Sequence, residues 1–109
     1  NANATSMSSS IQNFAQIDAA NKVLIIGDML ELGNISHDEH FKIIELIRKL
    51  NFENVFLVGK EFCKINNEFK TFEKSTELAE YLTENKIINS TILLKASRGI
   101  KLETVAGIL

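Results

Sequence analysis

Two polar stretches of this sequence hold residue types that could do chemistry. Gly27-Asp28-Met29-Leu30-Glu31-Leu32-Gly33 directly follows the apolar residues Val23, Leu24, Ile25 and Ile26 and supplies two carboxylates. Lys95-Ala96-Ser97-Arg98-Gly99 directly follows Thr91-Ile92-Leu93-Leu94 and supplies two cations and a hydroxyl. Arginine grips a carboxylate or phosphate through two parallel N–H bonds, and lysine adds a compact point charge. The second stretch therefore suits an anionic ligand. The competing possibility is that Lys95 and Arg98 pair with Asp28 or Glu31 and only neutralise the turns; residue types alone support both.

Those stretches need elements to position them. Continuous apolar runs closed by glycine, at 23–27 and again at 55–59, read as strands covered on both faces. A further strand is expected at 91–94 and a weaker one at 69–72, near a sheet edge. Between them lie helical patterns. Thr5 or Ser6 is expected to cap a first helix with Met7, Ile11, Phe14 and Ala15 on one face, and Ser36-x-x-Glu39 has capping-box spacing before a helix over 36–50. A short turn at 61–65, a helix from Ser75, and a closing helix with Leu102, Val105, Ala106 and Leu109 inward complete the pattern. Alternating strands and helices predict right-handed crossovers. The expected fold is α/β, three layers αβα, with a mostly parallel Rossmann-like sheet. In such a sheet the stretches at 28–33, 59–60 and 95–99 share the carboxyl edge, where ligands bind.

Composition narrows the function. The 109 residues fit one domain spanning 1–109, with 12 basic and 14 acidic residues and so no charge excess pointing to nucleic acid or a membrane surface. One cysteine, no apolar run near the roughly 20 residues of a membrane span and no signal-peptide core favour a cytoplasmic protein. A start at Asn1 reads as an excised or processed piece. His37 and His40 have a spacing usable by a metal, but no third ligand is evident and a solvated helix start is favoured, so no metal site is expected. Cys63 reads as a packed thiol. Met29, Leu30 and Leu32 either line a cleft or fold the loop back onto the body. Neither GxxxxGK[ST] nor GxGxxG occurs, so any ATP contact is partial. Two classes compete: a receiver-type regulatory module, weakened because the second strand ends at Gly59-Lys60 rather than at an aspartate, and a plain nucleotide-binding or scaffold domain with no part in catalysis.

Taken together, these stretches resemble the carboxyl-terminal domain of the Mur ligase family. Asn1-Ala2-Asn3-Ala4-Thr5-Ser6-Met7 resembles the family's YNANPxSM, Gly27 through Gly33 matches its GDMLELG, His40 falls where it has a histidine, and Lys95 through Gly99 resembles its KGSRG. Ala4 stands for the usual proline and Ala96 for the usual glycine; both are small changes, expected to keep the binding geometry. The resemblance covers essentially the whole chain. It implies an enzyme in which ATP, with Mg²⁺, phosphorylates the terminal carboxylate of UDP-N-acetylmuramoyl-tripeptide and the amine of D-alanyl-D-alanine attacks the acyl phosphate. It further implies amino-terminal and central ATPase domains in cis, no activity for this chain alone, and no need to dimerise. By resemblance, Lys95 and Arg98 are catalytic cations, Ser97, Asp28 and Glu31 bind the peptide substrate or brace the cations, and Asn1, Asn3 and Thr5 face the nucleotide.

Overall fold

A computed structural model of the chain describes residues 3–109. Four parallel strands, β1 (Lys22–Gly27), β2 (Asn54–Val58), β3 (Lys70–Phe72) and β4 (Thr91–Lys95), form one sheet in the order β3-β2-β1-β4. The helices are α1 (Ala4–Ala15), α2 (Ser36–Lys49), α3 (Lys60–Cys63), α4 (Ser75–Glu84) and α5 (Glu103–Ala106), with 3-10 turns at Gly33–Ile35 and Arg98–Ile100.

Strand pleating sorts the core into two layers. Leu24, Ile26, Val55 and Leu57 point to the face covered by α1, α2 and α3, where they meet Met7, Ile11, Ile44, Ile47 and Phe62. Val23, Ile25 and Val58 point to the other face, against Leu78 and Leu82 of α4 and Leu102 and Val105 near α5. Because both faces are covered, β1 must be apolar from Val23 to Ile26, and that is why its sequence shows no alternation. Each fully buried leucine or isoleucine contributes about 1.5–3 kcal/mol, so the central strand anchors the fold.

The helix ends differ from the sequence expectation where local hydrogen bonds compete. Asn3, not Thr5 or Ser6, caps α1: its Oδ1 accepts the Ser6 N–H at 2.9 Å while Ser6 Oγ accepts the Asn3 N–H at 3.1 Å. Asparagine is among the best caps, worth about 1 kcal/mol. The box expected at Ser36 and Glu39 does not form; a 3-10 turn leads into α2, leaving the Ser36 hydroxyl to bond Glu61 at 2.7 Å. The closing helix is one turn, with Leu102 and Val105 buried but Ala106 and Leu109 exposed, and Gly107 is its carboxyl-terminal cap. Cys63 is exposed rather than packed, because the helix it ends stops after four residues.

Candidate functional site

The strand order determines where a ligand fits. From β1 the chain crosses to β2 and on to β3 on one side, then returns to place β4 on the other side of β1. At such a switch point, flanking connections leave in opposite directions and open a crevice outside the carboxyl ends of the two strands. Here those strands are β1 and β4, and the turns leaving them are the two stretches singled out in the sequence.

The turns are bonded to each other. The Ser97 N–H donates to the Asp28 carbonyl at 3.0 Å, and Ser97 Oγ accepts the Leu30 N–H at 2.8 Å. Asp28 and Arg98 therefore share one rim. The third turn joins through the Asp28 N–H, which donates to the Val58 carbonyl at 2.9 Å.

Within that rim the two carboxylates differ. Asp28 is buried, at 2% exposure, and its side chain turns inward: Oδ2 accepts the Glu61 N–H at 2.8 Å and Oδ1 the Phe62 N–H at 3.1 Å. It satisfies amides that the start of α3 would otherwise leave orphaned. Glu31 is exposed, on a left-handed backbone with φ 64°. Lys95 ends β4 half-buried and Arg98, opening the following 3-10 turn, is exposed. Among the described residues no carboxylate pairs with either cation, so the turns do not simply neutralise one another.

His40, which sequence patterning left among solvated or metal-binding options, is fully buried and bonded throughout. Its Nε2 accepts the Met29 N–H at 3.0 Å and its Nδ1 lies 2.7 Å from the Ser36 carbonyl. Those partners require the neutral tautomer with the proton on Nδ1, which donates to that carbonyl. The ring packs edge-on against Phe62 at 4.7 Å, and Nε2 stands 3.7 Å from Asp28 Oδ1. His40 thus fastens the first turn from below. Nothing in its residue type or spacing marks this; the signal is only that an i, i+4 pair, Ser36 and His40, lies on the inner face of a helix. Met29 is buried and Leu32 half-buried, folding the loop back, whereas Leu30 stays 40% exposed.

Electrostatics at the buried end have opposing signs. Burial lifts the Asp28 carboxyl above its ordinary value, against the pull of the Glu61 and Phe62 amides. Glu61 is held below its ordinary value, first by the Ser36 hydroxyl and then by Lys64. A group raised on folding stabilises the folded chain most below its unfolded value and loses that contribution as pH climbs through the folded one. Glu61 behaves oppositely, contributing above its ordinary value and losing that in acid. Asp28→Asn should therefore gain stability relative to the parent between about pH 4 and 7. Urea midpoints across that range measure it, and a variant-minus-parent difference that stays constant or falls as pH rises contradicts the direction.

The nucleotide-side candidates divide. Asn1 lies outside the described residues. Asn3 spends its Oδ1 on the α1 cap, and Thr5 is exposed on the first turn. α1 ends at the amino edge, where Lys22 Nζ donates to the Ala15 carbonyl at 2.8 Å, so its first turn points toward the rim. A hollow of about 230 Å³ lined by Ala19, Lys22, Phe52 and neighbours lies at the amino edge, away from the rim. Among the described residues no three of His, Cys, Asp and Glu converge to hold a metal ion.

Comparison with known proteins gives these turns a context. No family model matches the chain. The UDP-N-acetylmuramoyl-tripeptide–D-alanyl-D-alanine ligase of Rickettsia prowazekii is 34% identical over 96% of this chain and 25% of its own length. That of Bacillus subtilis is 35% identical with the same coverage. The chain belongs to the Mur ligase family. It spans about a quarter of the length of the curated relatives it matches. Among solved structures, a MurF from Acinetobacter baumannii superposes over 98% of this chain and 26% of its own, with a TM-score of 0.75 and 27% identity. The Mur ligase of Thermotoga maritima solved in complex with ADP has the same fold, with a TM-score of 0.79 at 22% identity over 99% of this chain and 26% of its own. Ala96, where the Mur ligase resemblance has glycine, turns its methyl inward. It packs with the α4–α5 layer, against the space that Gly27 leaves, and so does not stand between the rim and a ligand.

Proposed function

We propose that residues 1–109 are a single carboxyl-terminal domain of an ATP-dependent ligase that joins D-alanyl-D-alanine to UDP-N-acetylmuramoyl-tripeptide in peptidoglycan precursor synthesis. The supporting observation is the switch-point crevice between β1 and β4, flanked by two cations that no carboxylate among the described residues engages. In that reaction ATP transfers its terminal phosphoryl group to the tripeptide carboxylate, releasing ADP. The dipeptide amine then attacks the carbonyl carbon, and phosphate leaves as the amide forms. Negative charge gathers on the phosphoryl oxygens and then on the tetrahedral oxygen, so preplaced cations lower both barriers.

Lys95 and Arg98 take that role. Ser97, already holding the Leu30 N–H, keeps the cationic turn in register and offers a hydroxyl beside the peptide substrate. Glu31, exposed on the rim, can orient the dipeptide ammonium; Asp28 acts from inside by holding α3 and the first turn together. Thr5 and Asn3 would contact the nucleotide; Asn1, which the resemblance assigns to the same role, lies outside the described residues. Mg²⁺ would neutralise the phosphates, held, as the resemblance implies, mainly by the central domain. The amino-terminal and central domains would supply the remaining contacts in cis, so this chain alone is inactive. We place the enzyme in the cytoplasm as a monomer; among the described residues no helix is long and apolar enough to cross a membrane.

The test is turnover by the full-length protein that contains this chain. With ATP, Mg²⁺ and UDP-N-acetylmuramoyl-tripeptide present, phosphate release should depend on added D-alanyl-D-alanine and yield the extended precursor by mass. Absence of that product with all substrates supplied overturns the assignment.

A further inference from the structure

Scattered exposed apolar residues are normal on a protein surface, and Ile88, 71% exposed, is of that kind. Leu30 is different because it is held. Its N–H donates to Ser97 Oγ at 2.8 Å, and its Cδ1 lies across Gly99, 2.7 Å from where a β-carbon on that residue would stand. The missing side chain of Gly99 seats the leucine on the cationic turn. Its exposed end therefore lies on the rim, next to Arg98.

We propose that Leu30 sets the specificity for the side chain of the incoming amine substrate, an inference that rests on the ligase reading above. The attacking nitrogen must reach a carbonyl whose leaving phosphate is met by Lys95 and Arg98. The substrate residue carrying that nitrogen consequently has its side chain beside the same turn, where Leu30 is the apolar surface. A methyl group fits against it. A branched side chain would press on a leucine that Ser97 and Gly99 keep from retreating, and a hydroxymethyl group would set its O–H against the Leu30 methyl groups, which accept no hydrogen bond. The two cations respond to charge and cannot make this distinction.

Full-length enzyme is assayed for phosphate release with D-alanyl-D-alanine and with D-valyl-D-alanine and D-seryl-D-alanine, which differ from it only at the first residue. The parent should prefer D-alanyl-D-alanine. Leu30→Ala should lower kcat/KM for that dipeptide about tenfold, through the dipeptide KM, and raise D-valyl-D-alanine relative to it by a similar factor, with the ATP KM unchanged. Leu30→Met, close in volume, should keep the parent ratios. If Leu30→Ala changes all three dipeptides by one factor, or none, the proposal is overturned and Leu30 serves contact with the rest of the enzyme. If the parent turns over no dipeptide, the ligase reading fails first and takes this inference with it.

Discussion

Gly59→Ala should cost about 3–5 kcal/mol of folding stability, a large share of the roughly 5–15 kcal/mol typical of a domain. Gly59 has φ +130°, a conformation that side chains rarely adopt, and a β-carbon there would overlap the carboxylate of Asp28. A flexible side chain could swing away, but this carboxylate is fixed by the Glu61 and Phe62 amides and packed beside His40. The backbone is equally constrained, since the Gly59 N–H donates to the Phe72 carbonyl at 2.7 Å. Strain and overlap therefore add. Urea unfolding of the purified chain measures the loss. In a double-mutant cycle with Asp28→Ala, the two changes should couple by more than about 1 kcal/mol, because removing every atom of Asp28 beyond its β-carbon removes the collision. A Gly59→Ala variant with an unchanged midpoint would mean that the carboxylate does not occupy the space above Gly59.

That same contact explains what patterning could and could not reveal. The layers were legible because β1 and β2 are apolar without alternation, which only a doubly covered strand tolerates, and the glycines closing them mark where the backbone changes course. The shared rim followed from parallel strands alone. The inward turn of Asp28 was not legible, because a carboxylate after a strand reads alike whether it faces solvent or caps a neighbouring turn; the choice depends on α3, 33 positions away in its bond to Glu61. His40 was hidden for the same reason, its main partner being a backbone amide 11 positions earlier. The strand order, and with it the switch point, depends on non-local pairing that no local period encodes. Asn3 is hard to single out as the cap from sequence because its capping partner, Ser6, is itself a good cap residue.

In the full-length protein, on the ligase reading, Arg98→Ala and Lys95→Ala should each lower kcat/KM by more than tenfold, about 1.4 kcal/mol or more. On the open domain neither charge is worth that much: Arg98 is exposed, and exposed charges in salt contribute about 1 kcal/mol or less. The larger effect arises only if the rim closes against the rest of the enzyme and water leaves, when a preplaced donor facing developing charge is worth about 3–4 kcal/mol. Lys95, half-buried at the end of a strand that pairs it with Ile26, is better fixed than Arg98 and should show the larger loss in kcat. Arg98, which must be ordered on closure, should show more of its loss in KM. Arg98→Lys should recover only part of the activity, since a point charge cannot reproduce a two-pronged grip. Steady-state kinetics with each substrate varied separates these contributions. Near-normal kcat/KM in both alanine variants would remove the cations from the chemistry and leave the crevice between β1 and β4 without the charge that the ligase reading needs.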